Sequence, residues 1–262
     1  MCIRDRYCLF EAATRCGVEV HAWEAMSNHY HAVVTDKAGV LPAFLARFHR
    51  HLAMVLNARR ERFENFWSTD QTSVVLLVED SDLVDKVVYA LANPVAAHLV
   101  DRTADWPGAS SLRLMAPGCS AVAKRPGEFF RQGGPMPESV TIAANCPRHW
   151  TAEKWFTRVL QALASAEATI MRNRAPLGHR PAVPPNARAA SPEPRRKLRP
   201  IVACRNLVRR LVELASFREF RMAYARVRRR WVAGDRDVVF PAGTYFLRVV
   251  HGVPCALPPA PS

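Results

Sequence analysis

Acidic side chains are in short supply: 23 Asp and Glu stand against 37 Lys and Arg, which leaves a formal net charge of +14 and a pI near 10.2. A balance this basic points to a polyanionic partner, and nucleic acid is the commonest one. Long uncharged apolar runs are also missing, so the sequence offers no segment to span or anchor in a membrane. No Cys-x-x-Cys pair occurs. The seven cysteines (Cys2, Cys8, Cys16, Cys119, Cys146, Cys204, Cys255) are scattered and odd in number, which argues against both a disulfide framework and a cysteine zinc site. No signal peptide is recognisable, so a reducing cytoplasm is expected.

What is present suits a globular enzyme-sized unit. The 262 residues are 49% hydrophobic, enough for one domain with a sizeable core plus an extension. The first six residues, Met1 to Arg6, are what ATG TGT ATA AGA GAC AGR encodes, a string similar to a transposon-end adapter. We expect them not to be native and a strand before Tyr7 to be missing. Leu9, Phe10 and Ala13 then mark a helix over Tyr7 to Arg15, stopped by Gly17. Val18 to Trp23 alternates as a strand, and Ser27-Asn28 supplies turn chemistry before a second strand, predicting a hairpin. Leu41 to Arg60 repeats apolar residues at three- and four-residue spacings and predicts a helix. A β-like run over Thr72 to Val78 precedes a helix capped near Asp80-Ser81-Asp82 and ended or kinked at Pro94.

This order predicts an α+β fold: a ferredoxin-like (RRM-like) antiparallel sheet with helices on one face, plus a basic, mostly helical C-terminal extension. Residues 1–112 form the expected catalytic domain, 113–150 a Pro/Gly-rich linker with some local structure, and 151–262 the extension. Within the extension, Thr151 to Arg172 and Arg205 to Trp231 read as helices. His179 to Pro200 reads as an extended linker, and Val238 to Val250 as a small terminal hairpin broken at Pro241-Ala242-Gly243.

Chemistry concentrates in Met26-Ser27-Asn28-His29-Tyr30-His31-Ala32-Val33-Val34. On a strand, the period of two puts His29 and His31 on one face and Tyr30 on the other. Two imidazoles on one rigid strand can share a divalent metal, although His-x-His alone is more often two ordinary strand histidines. A second stretch, Tyr89-Ala90-Leu91-Ala92-Asn93-Pro94-Val95, places a phenol and an amide four apart on one helical face. By itself that pattern reads as a packing tyrosine and a helix terminator.

Together the two stretches resemble the single-tyrosine HUH transposases, most closely the REP-associated tyrosine transposase branch. There Met-Pro-Asn-His-x-His lies on a strand and Tyr-x-x-x-Asn-Pro-Val on a later helix. Leu99-Val100 and Pro107-Gly108-Ala109-Ser110-Ser111 are similar to that family's tail, and the likeness runs from about Tyr7 to Ser111. Ser27 replaces the usual proline. The resemblance implies that Tyr89 is the nucleophile, that His29, His31 and Asn93 bind Mg²⁺ or Mn²⁺, and that cleavage proceeds through a 5′-phosphotyrosine. The implied partner is single-stranded or hairpin DNA, with no membrane, and the protein would act as a monomer or homodimer. Arg47, Arg50, Arg195, Arg196, Lys197, Arg209, Arg210, Arg228, Arg229 and Arg230 are the candidate phosphate contacts. Two rivals remain at this level. One is a non-catalytic DNA-binding regulator of the same fold. The other is a His-x-His metallohydrolase, for which Asp36 and His21 are the nearest further ligands.

Overall fold

The computed structural model describes residues 3–68, 72–173 and 201–257. In chain order they form α1 (Ile3–Cys16), β1 (Val18–Ala25), β2 (Tyr30–Asp36), α2 (Leu41–Arg59), β3 (Val75–Leu77), α3 (Asp80–Leu91) and α4 (Asn93–Ala96). There follow β4 (Ala121–Lys124), β5 (Ser139–Ile142), α5 (Ala152–Arg172), β6 (Ile201–Ala203), α6 (Leu207–Val232) and α7 (Phe246–His251). The result is a mixed α+β protein.

The antiparallel β1–β2 hairpin is its centre. Pairing runs from Val18 opposite Asp36 to Ala25 opposite Tyr30, with a bulge between Val20 and Ala22. Helices cover both faces of this hairpin, in place of the one face expected from sequence. On one side Val18, Val20, Trp23, Tyr30, Ala32 and Val34 pack with α1 and α2. On the other, Ala22 and Val33 pack with Val84, Val87, Val88 and Leu91 of α3 and with Trp155, Val159 and Leu163 of α5. The physical reason is legible in β1: apart from Glu19, its residues are buried on either side, a pattern that demands cover on both faces.

Local chemistry explains the element ends. Gly17 takes φ +67° after α1, the left-handed conformation that glycine reaches without a Cβ penalty. Asp36 accepts the Leu41 and Ala38 N–H groups at 2.6 and 3.1 Å, tying the end of β2 to the start of α2. Phe44, Phe48, Leu52 and Val55 line the buried stripe of α2, each contributing about 2 kcal/mol of apolar burial.

The Trp106–Ser111 stretch has a structural role: it closes the outer edge of β1. The Ala25 N–H donates to Ala109 O at 2.9 Å, Ser111 N–H to Trp23 O at 2.9 Å, and Trp106 Nε1–H to Ala25 O at 3.0 Å. A Cβ at Gly108 would come within 2.2 Å of the Trp106 ring and 2.8 Å of Ala25 O, so only glycine fits there.

Three expectations change. The stretch read as a linker over 113–150 contains the β4–β5 hairpin, whose Ala123, Val140 and Ile142 join the main core; its Pro/Gly content hides two strands of four residues. The β-like run before α3 contracts to Val75–Leu77, which pairs in parallel with β6 rather than joining one sheet with β1–β2. The predicted terminal hairpin is absent as such: Phe240 bridges Cys255, and Phe246–His251 is helical. Phe240 and Leu247 instead pack with Tyr224, Val227 and Trp231 of α6, because that α6 stripe needs cover that a two-stranded ribbon edge would not give. The Pro- and Arg-rich stretch over His179 to Pro200 lies outside the described residues. No helix among the described residues is long and apolar enough to cross a membrane.

Candidate metal and nucleophile site

His29 precedes β2 and His31 lies within it; their ring centroids are 5.0 Å apart. Tyr89, on α3, presents its ring to His31 at a centroid distance of 5.4 Å. Two segments distant in sequence thus converge on one face of the hairpin. Tyr30 takes the other face, where its hydroxyl is 2.6 Å from His49 Nε2 and its ring packs on Phe48.

The orientation of each imidazole has a cause. Asn28 Oδ1 lies 2.7 Å from His29 Nδ1. A carboxamide oxygen is only an acceptor, so this contact requires the proton on Nδ1 and leaves the Nε2 lone pair outward. His31 is half-buried, and its Nε2 is shielded from solvent with no hydrogen-bond partner among the described residues. Burial, with His29 as a smaller cause, holds the His31 pKa below the ordinary imidazole value, which favours the neutral ring that a metal requires. An orphaned imidazole nitrogen beside a second imidazole of fixed tautomer fits a divalent cation.

Tyr89 is 58% exposed, and Lys86 Nζ stands 5.3 Å from its ring centroid, one turn earlier on α3. The other tyrosines are less available. Tyr7 is fully buried and donates its hydroxyl to Pro137 O at 2.6 Å, and burial pushes its pKa up to about 12. Tyr224 packs on Phe240, and Tyr245 precedes α7.

Asn93 opens α4 with a half-buried side chain. The helical hydrogen bonds continue across it, Ala92 N–H to Val88 O and Ala97 N–H to Asn93 O, both at 2.8 Å. Asn93 therefore shares a helical face with Tyr89, four residues earlier. Among the described residues no hydrogen bond or ring contact joins it to His29 or His31.

The basic residues divide. Arg47 is not a free cation on the surface: it forks onto Glu11, with Nε 2.8 Å from Oε2 and Nη2 2.5 Å from Oε1. Glu11 is only 4% exposed, so this arginine neutralises a buried carboxylate. Arg50 is exposed on α2. On α6, Arg210, Arg228 and Arg229 are exposed, Arg230 pairs with Asp235 at 2.7 Å, and Arg209 approaches Glu79 at 3.5 Å. Arg195, Arg196 and Lys197 lie outside the described residues.

Arg205 and Arg209 fasten the start of α6 to the N-terminal half of the helix that carries Tyr89. Arg205 pairs with Asp85 at 2.5 Å, and its N–H donates to Asp82 Oδ1 at 3.1 Å. Glu79, Asp82 and Cys204 come close together there, but the Asp82 oxygens are already spent on the N–H groups of Arg205 and Glu79.

The spare ligands named for a hydrolase are also committed. His21 is buried between Asn145 O and Thr35 Oγ1, each at 2.8 Å, and Asp36 holds the start of α2.

One polar residue near the site escapes the motif reading. Glu24 is fully buried on β1, directly opposite His31. Burial pushes its carboxyl pKa up to about 8, against weaker pulls from a hydrogen bond with Ser110 and from the charge of Arg6. A carboxylate inside the apolar run Ala22-Trp23-Glu24-Ala25-Met26 was the available sequence signal.

Comparisons of the chain with family profiles, with curated proteins and with solved structures each returned no match.

Proposed function

We propose that this chain is a metal-dependent single-stranded DNA endonuclease and strand transferase, acting through Tyr89 on hairpin-forming, REP-like sequences. The observation that carries the reading is the continuous ring contact from His29 through His31 to Tyr89. In this reading the β1–β2 hairpin with α1, α2 and α3 is the ferredoxin-like core of a single-tyrosine HUH transposase of the REP-associated branch. Its setting is a reducing cytoplasm.

The chemistry follows from residue types. His29, His31 and Asn93 would hold Mg²⁺ or Mn²⁺, which when bound neutralises charge on a nonbridging phosphate oxygen. The Tyr89 phenol oxygen attacks phosphorus, a P–O(Tyr) bond forms, and the bond to the 3′ oxygen breaks. The phenolic proton ends on the departing 3′-hydroxyl. The 5′-phosphotyrosine retains the ester, so a later 3′-hydroxyl can reverse the step and join a new strand. Lys86, above the Tyr89 ring, adds positive charge where a phosphate must approach. The exposed arginines of α6 would hold flanking backbone without reading sequence.

The test is incubation of the protein with labelled single-stranded hairpin DNA and Mn²⁺, followed by denaturing electrophoresis. A denaturation-resistant protein–DNA adduct that disappears in Tyr89→Phe is expected. Binding with no cleavage would establish a non-catalytic regulator instead. Cleavage without an adduct would establish a hydrolase.

A further inference from the structure

We propose that the turn after α2 is a stacking platform for single-stranded DNA, with a base against the Phe63 ring and phosphates on Arg60 and Arg62. The inference rests on the reading of single-stranded DNA as the partner, and not on cleavage at Tyr89. It adds a contact surface that neither the histidine strand nor the tyrosine helix contains. Phe63 is 100% exposed, although a phenyl ring is among the side chains that gain most from burial. The backbone beneath it is firmly held. Arg60 N–H donates to Leu56 O and Asn57 O at 3.1 Å, Glu61 N–H to Ala58 O at 3.3 Å, and Arg62 N–H to Asn57 O at 3.0 Å. The Asn57 side-chain amide donates to Glu64 O at 2.8 Å. Glu61 takes φ +51°, a left-handed conformation that a glutamate keeps only where its surroundings impose it. Beyond the turn, Phe66 and Trp67 pack back against the main core, and Trp67 Nε1–H donates to His49 O at 2.8 Å. Both ends of a short loop are thus pinned, and the ring between them stands in water.

The groups around that ring select the occupant. The run Arg59-Arg60-Glu61-Arg62-Phe63 brings three guanidinium groups to the turn. Arg60 lies 6.0 Å from the Phe66 ring centroid. Arg62 meets Glu64 at 3.2 Å, an ion pair with an exposed carboxylate that a phosphate can replace at small cost. An aromatic face beside cations answers both parts of a single strand, base on ring and phosphate on guanidinium. A duplex keeps its base faces stacked on one another and offers only its phosphates. A protein partner would call for a wider apolar patch, whereas Arg62, Glu64 and Asn65, next to Phe63 in the chain, are polar. Every base has a π-face, so the contact adds affinity without choosing sequence.

Fluorescence anisotropy of a short labelled single strand that forms no hairpin, titrated with the full chain in chelator, tests the proposal. Phe63→Ala should weaken binding by about ten-fold and leave the slope of log K against log salt unchanged. Phe63→Tyr, which keeps the ring, should bind as wild type does. Arg60→Gln and Arg62→Gln should each make the slope shallower by about 0.7. Phe63 is fully exposed, so thermal melts of its variants should coincide with that of wild type. If Phe63→Ala binds the single strand within about two-fold of wild type, the ordinary effect of a surface change, there is no platform and the single-stranded DNA reading stands. If wild type binds no single strand, that reading fails and the platform fails with it. Wild-type affinity in Phe63→Leu would overturn stacking, since an aliphatic side chain has no aromatic face. An equal loss for Phe63→Ala on a duplex of the same sequence would overturn it too.

Discussion

Asn28 Oδ1 lies 2.7 Å from His29 Nδ1, and this contact decides which nitrogen of His29 faces outward. Asn28→Ala removes the acceptor and frees the ring to adopt either tautomer. Mn²⁺ affinity should fall about ten-fold, the low end of what outer partners of metal histidines contribute. Asn28→Asp, which keeps an oxygen in place, should restore most of it. Both residues are exposed, so thermal stability should move little. Isothermal titration with Mn²⁺ and a thermal melt on each variant separate the two effects.

The Arg47–Glu11 pair predicts a stability phenotype where a DNA phenotype was expected. Removing one partner of a buried pair leaves the other charge uncompensated, which costs about 3 kcal/mol. Arg47→Met should therefore lower the urea midpoint strongly, whereas Arg50→Ala, at an exposed position on the same helix, should change stability by under about 0.5 kcal/mol. Equal midpoints for the two variants would remove Arg47 from the core.

Two buried groups give the metal-free protein opposite pH dependences. Burial lowers the His21 pKa in the folded state, so the unfolded chain binds its proton first. Stability from His21 is complete above about pH 6.5 and falls as the solution is acidified. Glu24 has its folded pKa raised from 4.5 to about 8, so its contribution is complete below about pH 4.5 and is lost as pH rises towards 8, by up to about 1.4 kcal/mol per unit. With chelator present, Glu24→Gln should be more stable than wild type at pH 8, and the gap should close by pH 4.5. His21→Gln should flatten the acid limb alone. Urea unfolding from pH 4.5 to 8.5 measures both.

The arginines of α6 predict a salt dependence. Arg228, Arg229 and Arg230 to Ala should weaken single-stranded DNA binding similarly for unrelated sequences. The slope of log K against log salt should become shallower by about 0.7 for each phosphate no longer neutralised. Fluorescence anisotropy at several salt concentrations reads this directly, and a sequence-dependent weakening would instead mean that these arginines touch bases.

Much of the frame was visible in the sequence because its signals are local. Gly17, the three- and four-residue spacing of α2, and the alternation around His29-Tyr30-His31 each act within a turn or two of chain, and the helices α1, α2, α5 and α6 stand where the pattern puts them. What was hidden depends on partners far away in sequence. β4 and β5 are too short to alternate convincingly and become strands by pairing with each other and packing on α1. β3 pairs with β6, 126 residues later by Val75 and Ile201. Arg47 carries no mark that distinguishes a phosphate contact from a partner for Glu11, because both need the same exposed-looking helix position. Within the candidate site, spacing brought out His29, His31 and Tyr89, whereas the burial of Glu24 beside it emerges only from cross-strand register.

The two faces of β2 have a consequence for errors in folding. Tyr30, Ala32 and Val34 pack with the α1–α2 side while His29 and His31 meet Tyr89 on the other, and the bulge between Val20 and Ala22 fixes the phase of the pairing. A slip of one residue would turn every side chain over. It would press two imidazoles into the Phe48 side and leave the Tyr30 ring facing Tyr89. Misregistered chains would therefore lose core and site in the same event, so the packing of this strand acts as a proofreader for the histidine pair.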